Sequence, residues 1–172
     1  FLTTNNSSIA NKVRLFRNHG LVDRDTVERF GLVSRMDVLQ ANILEFRLLR
    51  LSEVIKQRRK NAEIYRKVLK SKYIYIPDER VKELNTYHTF VIQCERRDEL
   101  RNFLQSKGVE TAIHYPIPIH LQPASRYLGY KLGDFQITEM QSNKILSLPI
   151  NQYLKEKDIK KICRSINKFY EL

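Results

Sequence analysis

Between Met36 and Leu69 the chain contains neither glycine nor proline. Over that run Met36, Ile43, Leu44, Leu48, Leu51, Ile55, Ala62, Tyr65 and Leu69 recur at steps of three and four. That is the period of a helix buried along one side. One helix of about 34 residues, rising about 1.5 Å per residue, is about 50 Å long. A rod of that length bridges two domains or forms a contact between subunits. The stripe is too irregular for strict heptads, which argues against a coiled coil.

The flanks differ. Upstream, Phe1–Thr4 reads as a strand and Asn5–Ser8 as a turn, with Ser7 or Ser8 as helix N-cap. Ile9, Val13, Leu15 and Phe16 form the apolar face of a short helix that Gly20 ends, and 21–34 reads as loop. A domain seldom begins in mid-strand, so a preceding part is expected. Downstream the pattern is α+β: strands at "YIYIP", Tyr87–Cys94, "VETAIHY" and "SLPI". Helices are expected at "RRDELRNFLQSKG", Gln136–Leu146 and Lys155–Tyr170, the last burying Ile159, Ile162, Ile166 and Phe169.

Composition excludes several classes. No stretch approaches the roughly 20 apolar residues of a membrane span, and no signal peptide opens the chain. Cys94 and Cys163 are far apart and form no C-x-x-C, which excludes a disulfide scaffold or a thiolate zinc site and points to buried thiols in a reducing cytoplasm. The net charge is +12, concentrated between Arg47 and Lys72. A solvated helix face accounts for it more simply than a polyanion site does. A nucleic-acid surface would interleave aromatics with the cations, yet Arg58–Arg59–Lys60 meets none until Tyr65.

The stretch "TAIHYPIPIHLQPA", 111–124, holds two of the four histidines. Pro116 and Pro118 oppose a helix and favour extended chain, which separates His114 from His120 by roughly 19 Å. With no carboxylate or thiolate cluster nearby in sequence, a metal site is not expected, and no G-x-S-x-G marks a nucleophile. Two readings stay open: a stiffened lining for an elongated polar ligand, with His114, Tyr115, His120 and Gln122 as its donors and acceptors, or a proline-rich crossover with ordinary surface histidines.

Three segments carry a resemblance. "RLFRNHGLVDRD" from Arg14 resembles a family helix ending in R-N-H-G; "GLVSRMDVLQANIL" from Gly31 resembles G-[YF]-N-x-R-[LM]-x-x-[LI]-Q-A-A-x-L; "IHYPIPIHLQPASRYLGY" from Ile113 resembles H-Y-P-x-P-x-H-x-Q-P-A, with "LSLPI" following. Together they resemble the C-terminal part of DegT-like nucleotide-sugar aminotransferases. These are pyridoxal-phosphate enzymes of the aspartate-aminotransferase fold, fold type I.

The resemblance implies an α/β fold: a long connecting helix, then an α+β small domain with a mixed or antiparallel sheet and helices packed on it. Residues 1–35 would be a remnant of the large cofactor-binding domain with a dimer-contact loop, 36–70 the connecting helix, and 71–172 the small domain. It also implies transfer of an amino group from glutamate to a nucleotide-linked keto-sugar by a cytoplasmic homodimer, in cell-surface polysaccharide or related amino-sugar synthesis. No nucleic acid or membrane partner is implied. Ser34 and Arg35 would lie at the cofactor phosphate, where the family usually has asparagine at the position of Val33. His114, Tyr115, His120 and Gln122 would bind the sugar-nucleotide. The Schiff-base lysine of the family falls before Phe1, and Lys12 is not its counterpart, so the chain alone is expected to be inactive. The alternative is a noncatalytic ligand-binding or regulatory module of the same fold.

Overall fold

The computed structural model describes residues 1–171. It divides the expected long helix in two: α2 spans Val38–Leu48 and α3 spans Leu51–Val68. At the break the Arg50 N–H bonds back to Arg47 O at 3.2 Å, a three-residue step that interrupts the four-residue ladder. No glycine or proline marks the place, so periodicity alone could not find it. The chain divides there into two compact units, Phe1–Arg50 and Leu51–Leu172.

The first unit contains helix α1, Ser7–Phe16, and α2. Asn6, rather than Ser7 or Ser8, caps α1, accepting from the Ile9 N–H at 3.2 Å. Phe1–Thr4 forms no strand among the described residues. A strand exists only against a partner, and none pairs with it in this unit. Asp37 and Gln40 close a reciprocal capping box at the start of α2. Neither helix has a buried residue.

The second unit holds the core. Strands β1 (Ile74–Tyr75), β2 (Phe90–Cys94) and β3 (Ile145–Leu148) form an antiparallel sheet in the order β1-β2-β3. Alternation along β2 buries Phe90, Ile92 and Cys94. The register pairs Phe90 with Leu148 and Ile92 with Leu146, so β3 adds two leucines to the same core. Helices α3, α4 (Arg97–Ser106) and α6 (Glu156–Glu171) cover it with Tyr65, Leu100, Leu104, Ile159, Ile162, Ile166 and Phe169. Tyr65 stacks on Phe90 at 4.8 Å and donates its hydroxyl to Pro149 O at 2.9 Å. Each such side chain contributes about 1.5–3 kcal/mol on burial.

Two expectations shift here. "VETAIHY" is no strand; only Ala112 pairs, in a single bridge to Ser147. The left-handed Tyr115 (φ 64) turns the chain away before the pairing can extend. Helix α5, Gln136–Lys144, ends two residues earlier than its pattern suggests, because Ile145 and Leu146 are taken up by β3. The cysteines match expectation: both thiols are free and buried, and burial pushes Cys94 up to about 11 and Cys163 up to about 12.

Two arginines of the basic run on α3 turn inward. Arg58 donates to the carbonyls of Tyr87, His88 and Ile150 at 3.0, 3.0 and 2.8 Å. Arg59 grips both oxygens of Glu79 at 2.5 and 3.2 Å and also donates to Asn85 O at 2.8 Å. These guanidiniums fasten loops to α3, while Lys56, Lys60, Lys67 and Lys70 stay exposed. Among the described residues no helix is long and apolar enough to cross a membrane.

Candidate functional site

In the first unit the site is built by a chain reversal. After α1, Arg17–Asn18–His19–Gly20 leads into a loop, and residues 31–35 return antiparallel to 16–19. Leu32 N–H bonds to Phe16 O at 2.8 Å, His19 N–H to Leu32 O at 3.0 Å, and Ser34 N–H to Arg17 O at 3.0 Å. Two glycines permit this. Gly20 has φ +78, and Gly31 lies so close that an added Cβ would meet Gly20 N and Phe16 O, both at 2.6 Å.

The reversal brings Ser34 and Arg35 beside Arg14 and Arg17 along a cavity of about 820 Å³. The Arg17 Nε donates to Ser34 O at 2.8 Å, Arg35 donates to Asn18 Oδ1, and Arg14 donates to Asn11 Oδ1 at 3.2 Å. Each guanidinium carries five N–H donors, so most remain for an anion, and the planar forks suit phosphate oxygens. The resemblance pointed to Ser34 and Arg35; the sequence reading did not place Arg14 and Arg17 beside them. Their three-residue spacing places them on one side of α1, and that was the available signal. Val33 does not line the cavity; it bridges Asn18. Lys12 lies in a separate depression with Ser7, Ser8, Asn11 and Glu28.

In the second unit the histidine segment is pinned at both ends. The His114 Nδ1 lies 2.7 Å from Ser147 Oγ on β3. His120 sits in a 3-10 turn, Ile119–Leu121, which replaces the extended chain that the prolines suggested. Pro118 stands at the N-cap of this turn, where its missing N–H costs no hydrogen bond. The turn buries His120 to 7% exposure, places its Nε2 at 2.9 Å from Glu139 Oε1, and sets its ring at 4.8 Å from Phe135. Between the pins Tyr115 is 85% exposed. Gln122 folds back onto Ile117 O at 3.3 Å. The four residues thus differ: Tyr115 is open, His114 reaches Ser147 on β3, Gln122 bonds within its own segment, and His120 faces inward.

Glu139, in the first turn of α5, is the partner that sequence reading missed. It also accepts from the N–H groups of Gly133, at 2.9 and 3.0 Å, and Phe135, at 3.3 Å. Burial pushes its carboxyl up, but the bonds from His120, Gly133 and Phe135 outweigh this and hold it below the usual carboxylate range.

The first unit thus carries an arginine-lined cavity, and the second a donor–acceptor segment pinned beside a small antiparallel sheet. The chain belongs to the DegT/DnrJ/EryC1/StrS aminotransferase family, which it matches over residues 1–167. It is 34% identical over 172 residues to a "Pleiotropic regulatory protein" of Geobacillus stearothermophilus, covering 98% of this chain and 46% of that protein. It is 34% identical over 163 residues to the UDP-2-acetamido-2-deoxy-3-oxo-D-glucuronate aminotransferase of Pseudomonas aeruginosa, covering 95% of this chain and 45% of that one. Among solved structures, DesV of S. venezuelae superposes with a TM-score of 0.88 at 30% identity, over 99% of this chain and 46% of DesV. The chain spans a little under half the length of these relatives.

Proposed function

We propose that this chain is the C-terminal portion of a pyridoxal-phosphate-dependent aminotransferase that moves an amino group from glutamate to a nucleotide-linked keto-sugar. The observation that supports it most directly is the family match running from residue 1 to 167. The name of the Pseudomonas aeruginosa relative, a UDP-keto-sugar aminotransferase, favours the substrate class.

The cofactor reading is tested by the cavity of the first unit. Its arginines and the Ser34 hydroxyl fit a phosphate monoester dianion, which asks for several convergent donors. They fit only that end of the cofactor. In this reading the Schiff-base lysine lies outside residues 1–172, and Lys12 sits in its separate depression. Bound pyridoxal phosphate supplies an electron sink for amino-group transfer. The chain's own residues bind and orient: Ser34 and Arg35, with Arg14 and Arg17, hold the phosphate, and Arg17 also fixes the Ser34 backbone.

The segment from His114 to Gln122 takes the nucleotide-sugar in this reading. Tyr115 offers a hydroxyl and a ring face, and His114 and Gln122 offer polar edges near solvent. The assembly is a cytoplasmic homodimer. A second reading, a noncatalytic ligand-binding or regulatory module, draws on the name of the Geobacillus stearothermophilus relative. One experiment separates them: absorbance of the protein that carries this chain, with pyridoxal phosphate bound, before and after glutamate. A visible band that changes on glutamate addition, with 2-oxoglutarate released, supports the enzyme. A protein that binds nucleotide-sugar yet shows no such change supports the module. An Arg35→Ala change is expected to weaken cofactor retention about tenfold or more, on loss of one or two charge-assisted hydrogen bonds.

A further inference from the structure

We infer that Glu139 is a positioning residue for the histidine-bearing segment: its carboxylate ties His120 to the Gly133–Phe135 loop and dictates which ring nitrogen of His120 is left without a protein partner. The inference rests on the reading of this segment as the nucleotide-sugar site. A helix cap alone would not account for the geometry. Capping α5 needs only the Phe135 N–H, and that is the longest of the contacts at 3.3 Å. The shorter ones, His120 Nε2 at 2.9 Å and Gly133 N at 2.9 and 3.0 Å, come from outside the helix.

An ionised carboxylate only accepts, so His120 Nε2 must carry the proton. In its neutral form a ring so protonated presents Nδ1 as a lone pair. That atom has no hydrogen-bond partner among the described residues, and His120 keeps a 7% share of its surface exposed. Phe135, packed against the ring at 4.8 Å, restricts its rotation. The result is a fixed acceptor suited to a ligand hydroxyl, such as one on the sugar of a nucleoside diphosphate-sugar. With His114 held by Ser147 at the other end, the span that presents Tyr115 is fixed twice.

The test is nuclear magnetic resonance of the 15N-labelled chain with UDP-glucose and dTDP-glucose as probes. Expected in the unmodified chain is a single His120 tautomer, protonated at Nε2, with probe-induced shifts across 114–122 and a change at His120 Nδ1. Glu139→Gln sets an amide N–H against a backbone N–H or the ring N–H. It should therefore mix the two tautomers, move the amides of 114–122 and 130–135 together, and weaken probe binding about tenfold. Glu99→Gln, which removes only an exposed pair with Arg96, serves as control and should change neither.

The inference is overturned if the unmodified His120 shows the Nδ1-protonated or exchanging form, a measurement that needs no variant to fold. It is also overturned if Glu139→Gln, or Glu139→Asp should that variant not fold, leaves probe affinity unchanged. A locked tautomer with no probe binding at all removes the nucleotide-sugar reading and the positioning role with it. Binding without the lock removes only the positioning role.

Discussion

At the level of single residues, several charged side chains of the second unit fasten loops. Glu79 shows it best. The hydrogen bond from Arg59, then that from the Asn85 N–H, hold its carboxyl down at about 2, against burial that would raise it. A carboxylate whose pKa is lower in the folded state than the ordinary 4.5 stabilises the fold fully above that value and progressively less as pH falls toward about 2. Glu79→Gln is therefore expected to lower the melting temperature at pH 7. It should also flatten the fall in melting temperature between pH 4.5 and 2. Parallel thermal melts across that range check both; equal slopes for the two proteins would contradict the assignment. Sequence showed the Arg58–Arg59–Lys60 run but not its partners. Glu79 lies 20 positions from Arg59 and the carbonyl of Ile150 lies 92 from Arg58, separations that no local pattern encodes.

Among elements, what was legible followed from period and what was lost followed from competition. Helix α6 appears with the buried set its spacing predicts, because its apolar stripe has the sheet and α3 to pack on. The short strands were misjudged because a strand's length is set by its partner. "VETAIHY" has the residues of a strand but only one bridge's worth of neighbour. Likewise Ile145 and Leu146 could continue α5, yet pairing with Gln93 and Ile92 draws them into β3. The glycines of the first unit show a steric constraint instead. A methyl at Gly31 would strike backbone at Gly20 and Phe16, atoms that cannot rotate aside. Gly31→Ala should therefore separate 31–35 from 16–19 and scatter Ser34 and Arg35 away from Arg14 and Arg17. The measurable outcome is loss of phosphate or pyridoxal-phosphate binding with the far-ultraviolet spectrum of the second unit intact. Retained binding would mean the close approach is not needed to assemble the cavity.

Across the whole molecule, the two units are built on different physical terms. The buried hydrophobic residues all belong to the second, from Ala62 to Phe169. In the first, α2 is apolar on several sides, with Val38, Leu39, Phe46 and Leu48 more than half exposed, and its fold rests on backbone bonds, two glycines and a capping box. An isolated helix of eleven residues without packing is marginal in water. Two tiers of stability follow. In hydrogen exchange followed by mass spectrometry, peptides from Ser7–Leu48 should exchange within seconds to minutes, while those from β2, β3 and α6 should open only with global unfolding. The exposed apolar residues of α2 should also bind a hydrophobic dye, and the chain should associate as concentration rises. Dilution that releases the association without changing exchange in β2, β3 and α6 would place the contact on the first unit. Protection of the Ser7–Leu48 peptides equal to that of α6, at a concentration where the chain is monomeric, would show that the first unit draws stability from a source other than these local bonds.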